Sequence, residues 1–349
     1  KDYKLRVPKD IDQSNIASIE IILQRGEAGD LGKIMLNGIS VKPVLDPSSD
    51  DPSTIISNKV TNVTTQIPVV SLNGDVSGMS KDKSKLLSMT YTNGEYSLKG
   101  YADTHWQGDS SLAWDKKAYR IKTFEDADKT SKLKFKPCEE WSADNKFNLK
   151  AYYTDPLLAR DPVNAKIGGD IWATQKNLPE GMITADNFGF IDGFPIKLFI
   201  NGRFQGIYSF NLAKGDYGDA QAAISGEKYN DITRFASIPE DGVKLDGSDF
   251  SMITPYDPTA DIKQSATNLA KFIATADQAT FTSQLGTYLD VDSAIDYLIF
   301  NNIIGNGDAW GKNQTFVTYD GTKWYLHPYD LDVTYGTNYD GSMTDDDLT

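Results

Sequence analysis

From residues 67–75 (IPVVSLNGD) on, the chain reads as strands, and apolar and polar residues alternate along 94–108 (GEYSLKGYADTHWQG) and 116–124 (KKAYRIKTF). That is the pattern of strands with one buried face. Residues 194–210, FPIKLFINGRFQGIYSF, contain two such runs joined by Asn201 and Gly202, a strong short-range hairpin signal. A second hairpin is predicted where QTFVTYD (314–320) and KWYLHPYD (323–330) meet at Asp320 and Gly321. The spacing changes to three and four in residues 155–173, where a Pro and a Gly pair predict an interrupted helix or two helical pieces. Residues 259–277 predict an amphipathic helix. Residues 290–305, DVDSAIDYLIFNNIIG, start on an Asp cap and carry apolar residues on nearly every face, which predicts a buried helix.

Before residue 45 the apolar runs IASIEIILQ and KIMLNGISVKPVL read as a few strands around Gly-containing turns. Residues 46–58, DPSSDDPSTIISN, concentrate Pro, Ser and Asp as a linker or long surface loop does. The expected organisation is a strand-rich segment or small β domain at 1–60 and a main domain at 61–349, or else a strand-rich extension packed on one domain. The fold class expected is α+β, with mixed antiparallel sheets and helices.

At 349 residues, 39% of them hydrophobic, the chain can bury a large core. Its net charge of −14 argues against a nucleic-acid or anionic-membrane surface, because the summed field repels polyanions. No run of 18 apolar residues is present to span a bilayer. A single cysteine, Cys138, allows no intrachain disulfide, and with only His105 and His327 available a Cys–His nucleophile is a poor fit. The start KDYKLRVPKD has neither an initiator Met nor a signal-peptide core, as expected of a processed product or excised piece. The richness in Asn, Thr, Ser, Tyr and Gly is compatible with an extracellular, spore-coat or virion protein.

The candidate chemistry lies in GNGDAWGKNQ (305–314) and WYLHPYDLD (324–332). The predicted helix delivers the chain to Asp308, the predicted strand ends at Asp330, and the hairpin folds the two ends toward each other. Carboxylates gathered in a partly dry site repel, so they either take up protons or hold a cation. Asp308, Asn313, Asp330 and Asp332 form a hard-oxygen set suited to Mg²⁺, Mn²⁺ or Ca²⁺ and not to Zn²⁺. The expectation is that Asp330 and Asp332 share one metal only if the backbone turns there. A hydrogen-bonded turn network and a purely structural calcium are the competing readings. Lys116 and Lys117 are adjacent in a predicted strand, so one faces inward and needs an anion, either a core Asp or a ligand. Arg160 is either a structural ion pair or a phosphate clamp. His327 reads as a satisfied core histidine, Cys138 as inert, and the acidic run 344–348 as a solvated end.

In order, GDSSLAWDKKAYRIK, NKFNLKAYYTDPLLARDPVNAKI, FPIKLFINGRFQGIYSF, DYLIFNNIIGNGDAWGKNQTFV and KWYLHPYDLDVTYG resemble the CotH family of spore-coat-like secretory protein kinases, from about residue 67 to 336. The resemblance implies an atypical kinase-like fold and transfer of phosphate from ATP, with a divalent metal, to a Ser or Thr hydroxyl of an exported, coat or virion protein. It implies Asp308 as the catalytic Asp that orients the acceptor hydroxyl, Asp330 as catalytic and metal-binding, Asn313 and Asp332 as metal ligands, and Lys117, Lys116 and Arg160 as phosphate contacts. The family's hairpin commonly runs into a segment with a Glu, whereas here it reaches Asn211 and Leu212 with no acid before Asp216. The rival expectation is a CotH-like structural or adhesive module of a multi-chain assembly such as a phage tail, baseplate or cell-surface fibre. A third, a sugar-nucleotide transferase using Asp330 and Asp332, leaves Asp308 and the lysines unexplained.

Overall fold

The computed structural model describes residues 18–24, 30–37 and 67–343, apart from residues 95, 216, 227–231, 239, 256 and 311–312. The chain divides into two compact units, Lys1–Gln66 and Ile67–Thr349. In the first, β1 (Ser18–Gln24) pairs antiparallel with β2 (Asp30–Asn37). The expected linker at 46–58 and the acidic run at 344–348 lie outside the described residues.

The second unit opens with β3 (Val69–Asn73), β4 (Lys85–Asn93), β5 (Tyr96–Gln107), β6 (Ala118–Phe124) and β7 (Lys146–Lys150). Helices α1 (Arg160–Trp172) and α2 (Glu180–Thr184) follow, and then the hairpin of β8 (Gly193–Ile200) and β9 (Arg203–Leu212). These strands close a barrel in the order β3-β4-β5-β6-β7-β9-β8, sealed by a parallel pairing of β3 with β8. The expected turn is at Asn201 and Gly202, whose positive φ angles of 51° and 74° suit a tight hairpin and need residues that tolerate the left-handed region. The barrel is filled by alternate residues such as Leu72, Met89, Tyr91, Phe147, Leu198 and Phe210, all buried. Closing it into a ring leaves the outward residues of β7, Asn148 and Lys150, to be covered or exposed by whatever packs outside.

One continuous helix occupies the region where interruption was expected. The helix starts at Arg160, which puts Pro162 in the first turn, where its missing N–H has no intrahelical acceptor to lose. The Asp155 carboxylate accepts from the backbone N–H groups of Ala159 and Arg160, both at 2.9 Å, and so caps that turn. Gly168 and Gly169 do not break the helix either. A β-carbon at the first would overlap the Phe190 ring and at the second the Asn187 amide, so the pair permits close packing.

A four-stranded antiparallel sheet follows, built from β10 (Ala222–Gly226), β11 (Ser251–Thr254), β12 (Gln314–Thr318) and β13 (Trp324–Pro328) in the order β11-β10-β12-β13. Between β11 and β12 the chain forms α3 (Ala260–Thr275), α4 (Gln278–Tyr288) and α5 (Val291–Ile303). Thr259 caps α3 through the Ile262 N–H, and Asp290 caps α5 through the Ser293 N–H at 2.9 Å. Ile262, Leu269, Ile224 and Trp324 form the core between helices and sheet. The architecture is α+β. His327 lies in the core, with Nδ1 3.1 Å from the Pro328 carbonyl and Nε2 3.0 Å from that of Phe188; burial keeps it neutral, so one of the two nitrogens donates. Helix α5 differs from expectation: Tyr297 and Phe300 are buried, but its opposite face is open to solvent. An all-round apolar pattern fixes no single inward face, and here one side is left uncovered. Among the described residues no helix is long and apolar enough to cross a membrane.

Candidate functional site

β12 and β13 pair from Thr318 opposite Trp324 to Gln314 opposite Pro328. The ladder therefore brings Asn313 and Tyr329 to the same end of the sheet, with the Asp308 loop entering there and Asp330 and Asp332 leaving. The strand stops at once, the backbone turning at Asp330 with φ 58°; residues two apart on a regular strand already share a face, so the expected need for a turn does not hold. The turn is strapped on two sides. Helix α1 holds it through Asp161, whose Oδ1 accepts from the Leu331 N–H at 2.8 Å, and through Asn164, whose amide donates to the Leu331 carbonyl at 3.0 Å. Helix α5 holds it through the Ile304 carbonyl, which accepts from the Tyr335 N–H at 2.8 Å.

The cation facing this turn is Lys150, the last residue of β7. Its Nζ lies 4.0 Å from Asp330 Oδ1, and the two side chains are 13% and 34% exposed. Burial alone would drive the ammonium to lose its proton, but the acidic groups around it, Tyr329, Asp330, Asp161 and Asp332, outweigh burial and hold it above its ordinary value. The acids show the converse. Burial raises Asp161, Asp330 adds to the rise, and Lys150 and the Tyr152 hydroxyl only partly offset it. Asp332 is raised well above the ordinary 3.8 by burial and by the neighbouring charges of Asp330 and Asp161. Tyr152 donates its hydroxyl to Asp161 and accepts from the Asn211 amide at 2.9 Å. Asn211 thus occupies the place where an acid was missed, and Asp161 supplies the carboxylate next to the lysine. Lys214 lies over the Tyr329 ring at 3.9 Å, adding a second positive side chain at this end.

The predicted residues are only partly brought together. Asp330 and Asp332 share the Lys150 site. Asp308 and Asn313 form their own pair, the Asn313 amide donating to Asp308 at 3.4 Å, in a loop pinned where Tyr297 and Gln314 donate to the Ala309 carbonyl. Among the described residues no hydrogen bond joins that pair to Asp330 or Asp332. Lys116 and Lys117 precede β6 instead of lying in it. Lys116 donates to the carbonyls of Ala151 at 2.8 Å and Ile207 at 2.6 Å, and burial pulls its ammonium down to about 8. Lys117 donates to the carbonyls of Leu112 and Trp114. Arg160 is ion-paired with the buried Asp155. None of these three cations makes an ion pair with Asp330 or Asp332.

Asp330, Asp332 and Asp161 outnumber their one close cation, and no other described residue donates a hydrogen bond to Asp330 or Asp332. The donor set fits a hard divalent cation. Among the described residues no three His, Cys, Asp or Glu side chains converge tightly enough to hold an ion unaided. Such an ion would take further oxygens from phosphate or water, as Mg²⁺ commonly does. This imbalance has a testable sign. An acid whose folded value is raised costs stability above that value, and the cost disappears as pH falls toward the ordinary 3.8. In metal-free buffer Asp332→Asn is therefore expected to unfold at a higher temperature than the parent near pH 8, the gap closing by about pH 4. A gap that stays constant with pH would show that Asp332 carries no electrostatic cost.

At the end of the antiparallel sheet, beside the closed barrel, a carboxylate turn thus faces the part-buried Lys150. The family model described as CotH kinase protein matches residues 105–348, and the chain belongs to the CotH family. No curated protein sequence matches it.

Proposed function

We propose that this protein transfers the terminal phosphoryl group of ATP, with a divalent metal, to a Ser or Thr hydroxyl of an exported, coat or virion protein, on an atypical kinase-like fold. The observation that carries the reading is Lys150, a buried ammonium held 4.0 Å from Asp330 among carboxylates that exceed it in charge. Phosphoryl transfer asks mainly for positioning and charge neutralisation, and this constellation supplies both. Asp330 and Asp332 would hold Mg²⁺ or Mn²⁺, which when bound neutralises phosphate charge. Lys150 would contact phosphate oxygens, with Asp161 and Tyr152 fixing its surroundings. Asp308, steadied by Asn313, would accept the proton of the acceptor hydroxyl as its oxygen bonds to phosphorus and ADP departs.

The test uses labelled ATP with Mg²⁺ or Mn²⁺ and either the protein itself or a Ser-rich protein as acceptor. Transfer of label is expected, and Asp308→Asn is expected to lower it about 10²–10⁴-fold with unchanged thermal stability. Equal labelling by Asp308→Asn would remove that residue from the chemistry. A second reading is a CotH module that serves assembly without transferring phosphate, and the lack of a ready-made three-ligand set among the described residues favours it. Its signature is a melting temperature unmoved by millimolar ATP and metal, because a ligand that binds only the folded state must raise it.

A further inference from the structure

On α5 the exposed positions fall on one side of the helix. Leu298 is 51% exposed, Ile299 50%, Ile295 47% and Ile303 73%, and Val291 continues the stripe one turn earlier. Their spacing of three and four is that of an inward-facing stripe, yet the inward side is already provided by Tyr297 and Phe300. Beside the stripe, at the N-terminal half of the helix, opens a cavity of about 320 Å³ lined by Asp290, Asp292 and Asp296 together with Trp172, Gln175 and Lys176. Asp290 is used in capping Ser293 and Asp296 accepts from Gln175 at 2.6 Å, while Asp292 makes no hydrogen bond among the described residues.

We propose that this face of α5 docks an amphipathic helix of a partner protein, its apolar stripe lying along Leu298, Ile295 and Ile299 and a Lys or Arg from its flank entering the aspartate-lined cavity. An exposed helical stripe of this kind is complemented by ridges of another helix, and contiguous exposed apolar patches commonly mark an interaction site. Charge decides the occupant. Acids border the stripe and the whole chain carries −14, so a second copy would bring like charge to the edge, whereas a basic flank is attracted. The surface is independent of phosphoryl transfer and stands whether or not that reading holds.

The test measures binding of a synthetic Leu/Lys amphipathic helix of about 16 residues to the full chain, against a Leu/Glu counterpart of the same pattern. The Leu/Lys peptide is expected to bind and the Leu/Glu peptide to bind at least about tenfold more weakly. Leu298→Asp with Ile299→Asp should reduce Leu/Lys binding about tenfold or more, and Asp292→Asn with Asp296→Asn should reduce it several-fold and flatten its salt dependence. Asp126→Asn, on an exposed turn of the barrel unit, should change nothing. The proposal is overturned if the α5 variants bind like the parent, if Asp126→Asn weakens binding as much as the cavity variants, or if sedimentation shows self-association that the α5 changes abolish.

Discussion

Replacing Lys150 by methionine is expected to lower phosphoryl transfer about 10²–10³-fold and to destabilise the fold by about 3 kcal/mol at neutral pH. The first effect removes the ammonium aimed at the carboxylate turn. The second arises because methionine keeps the stem of the side chain but leaves Asp161, Asp330 and Asp332 without their close cation. The lysine's folded value is raised, so its contribution is fully present below the ordinary 10.5 and is lost only as pH rises through the folded value. At neutral pH the whole of it is at stake. Acid should narrow the gap between variant and parent, since Asp161 and Asp332 then carry protons and no longer need a counter-charge. Chemical denaturation at two pH values measures this. A variant as stable as the parent at pH 8 would mean that the lysine and the acids are not energetically coupled.

Asp330→Asn should have the larger effect on activity, about 10³-fold or more, and the smaller effect on the apo fold. Asparagine tolerates the left-handed backbone that Asp330 adopts at φ 58°, so the turn survives, whereas alanine would add strain. The carboxylate is lost, and with it the repulsion that helps to raise Asp161 and Asp332. The apo variant is therefore expected to melt no lower than the parent, while the rise in melting temperature given by ATP with Mg²⁺ or Mn²⁺ disappears. Undiminished ligand stabilisation in this variant would place the cation elsewhere.

Both hairpins and the capped start of α5 were legible because each rests on local chemistry: Asn201 with Gly202, Asp320 with Gly321, and Asp290. Lys150 was not. On β7 it alternates with Phe147 and Leu149, and period-2 reasoning assigns such a residue to solvent. It is only 13% exposed because the turn at residues 329–332, far along the chain, comes to face it together with Asp161, which is long-range packing. Asp161 was missed for a related reason. It stands beside Arg160, whose charge drew notice, yet Arg160 is neutralised locally by Asp155 while Asp161 reaches Leu331, 170 residues away. Lys116 and Lys117 stood out as adjacent cations, but backbone carbonyls take their hydrogen bonds: those of Ala151 and Ile207 for Lys116, and those of Leu112 and Trp114, just upstream, for Lys117. The one signal available for Lys150 was a basic residue ending an alternating strand immediately before a turn that carries Tyr152, Tyr153 and Asp155.

The most direct test of the central claim is anomalous diffraction from crystals grown with Mn²⁺ and a non-hydrolysable ATP analogue. The account predicts a manganese peak in contact with Asp330 or Asp332 and phosphate oxygens within hydrogen-bonding reach of Lys150. Nucleotide bound with its phosphates away from Lys150, or manganese bound away from both aspartates, would contradict it.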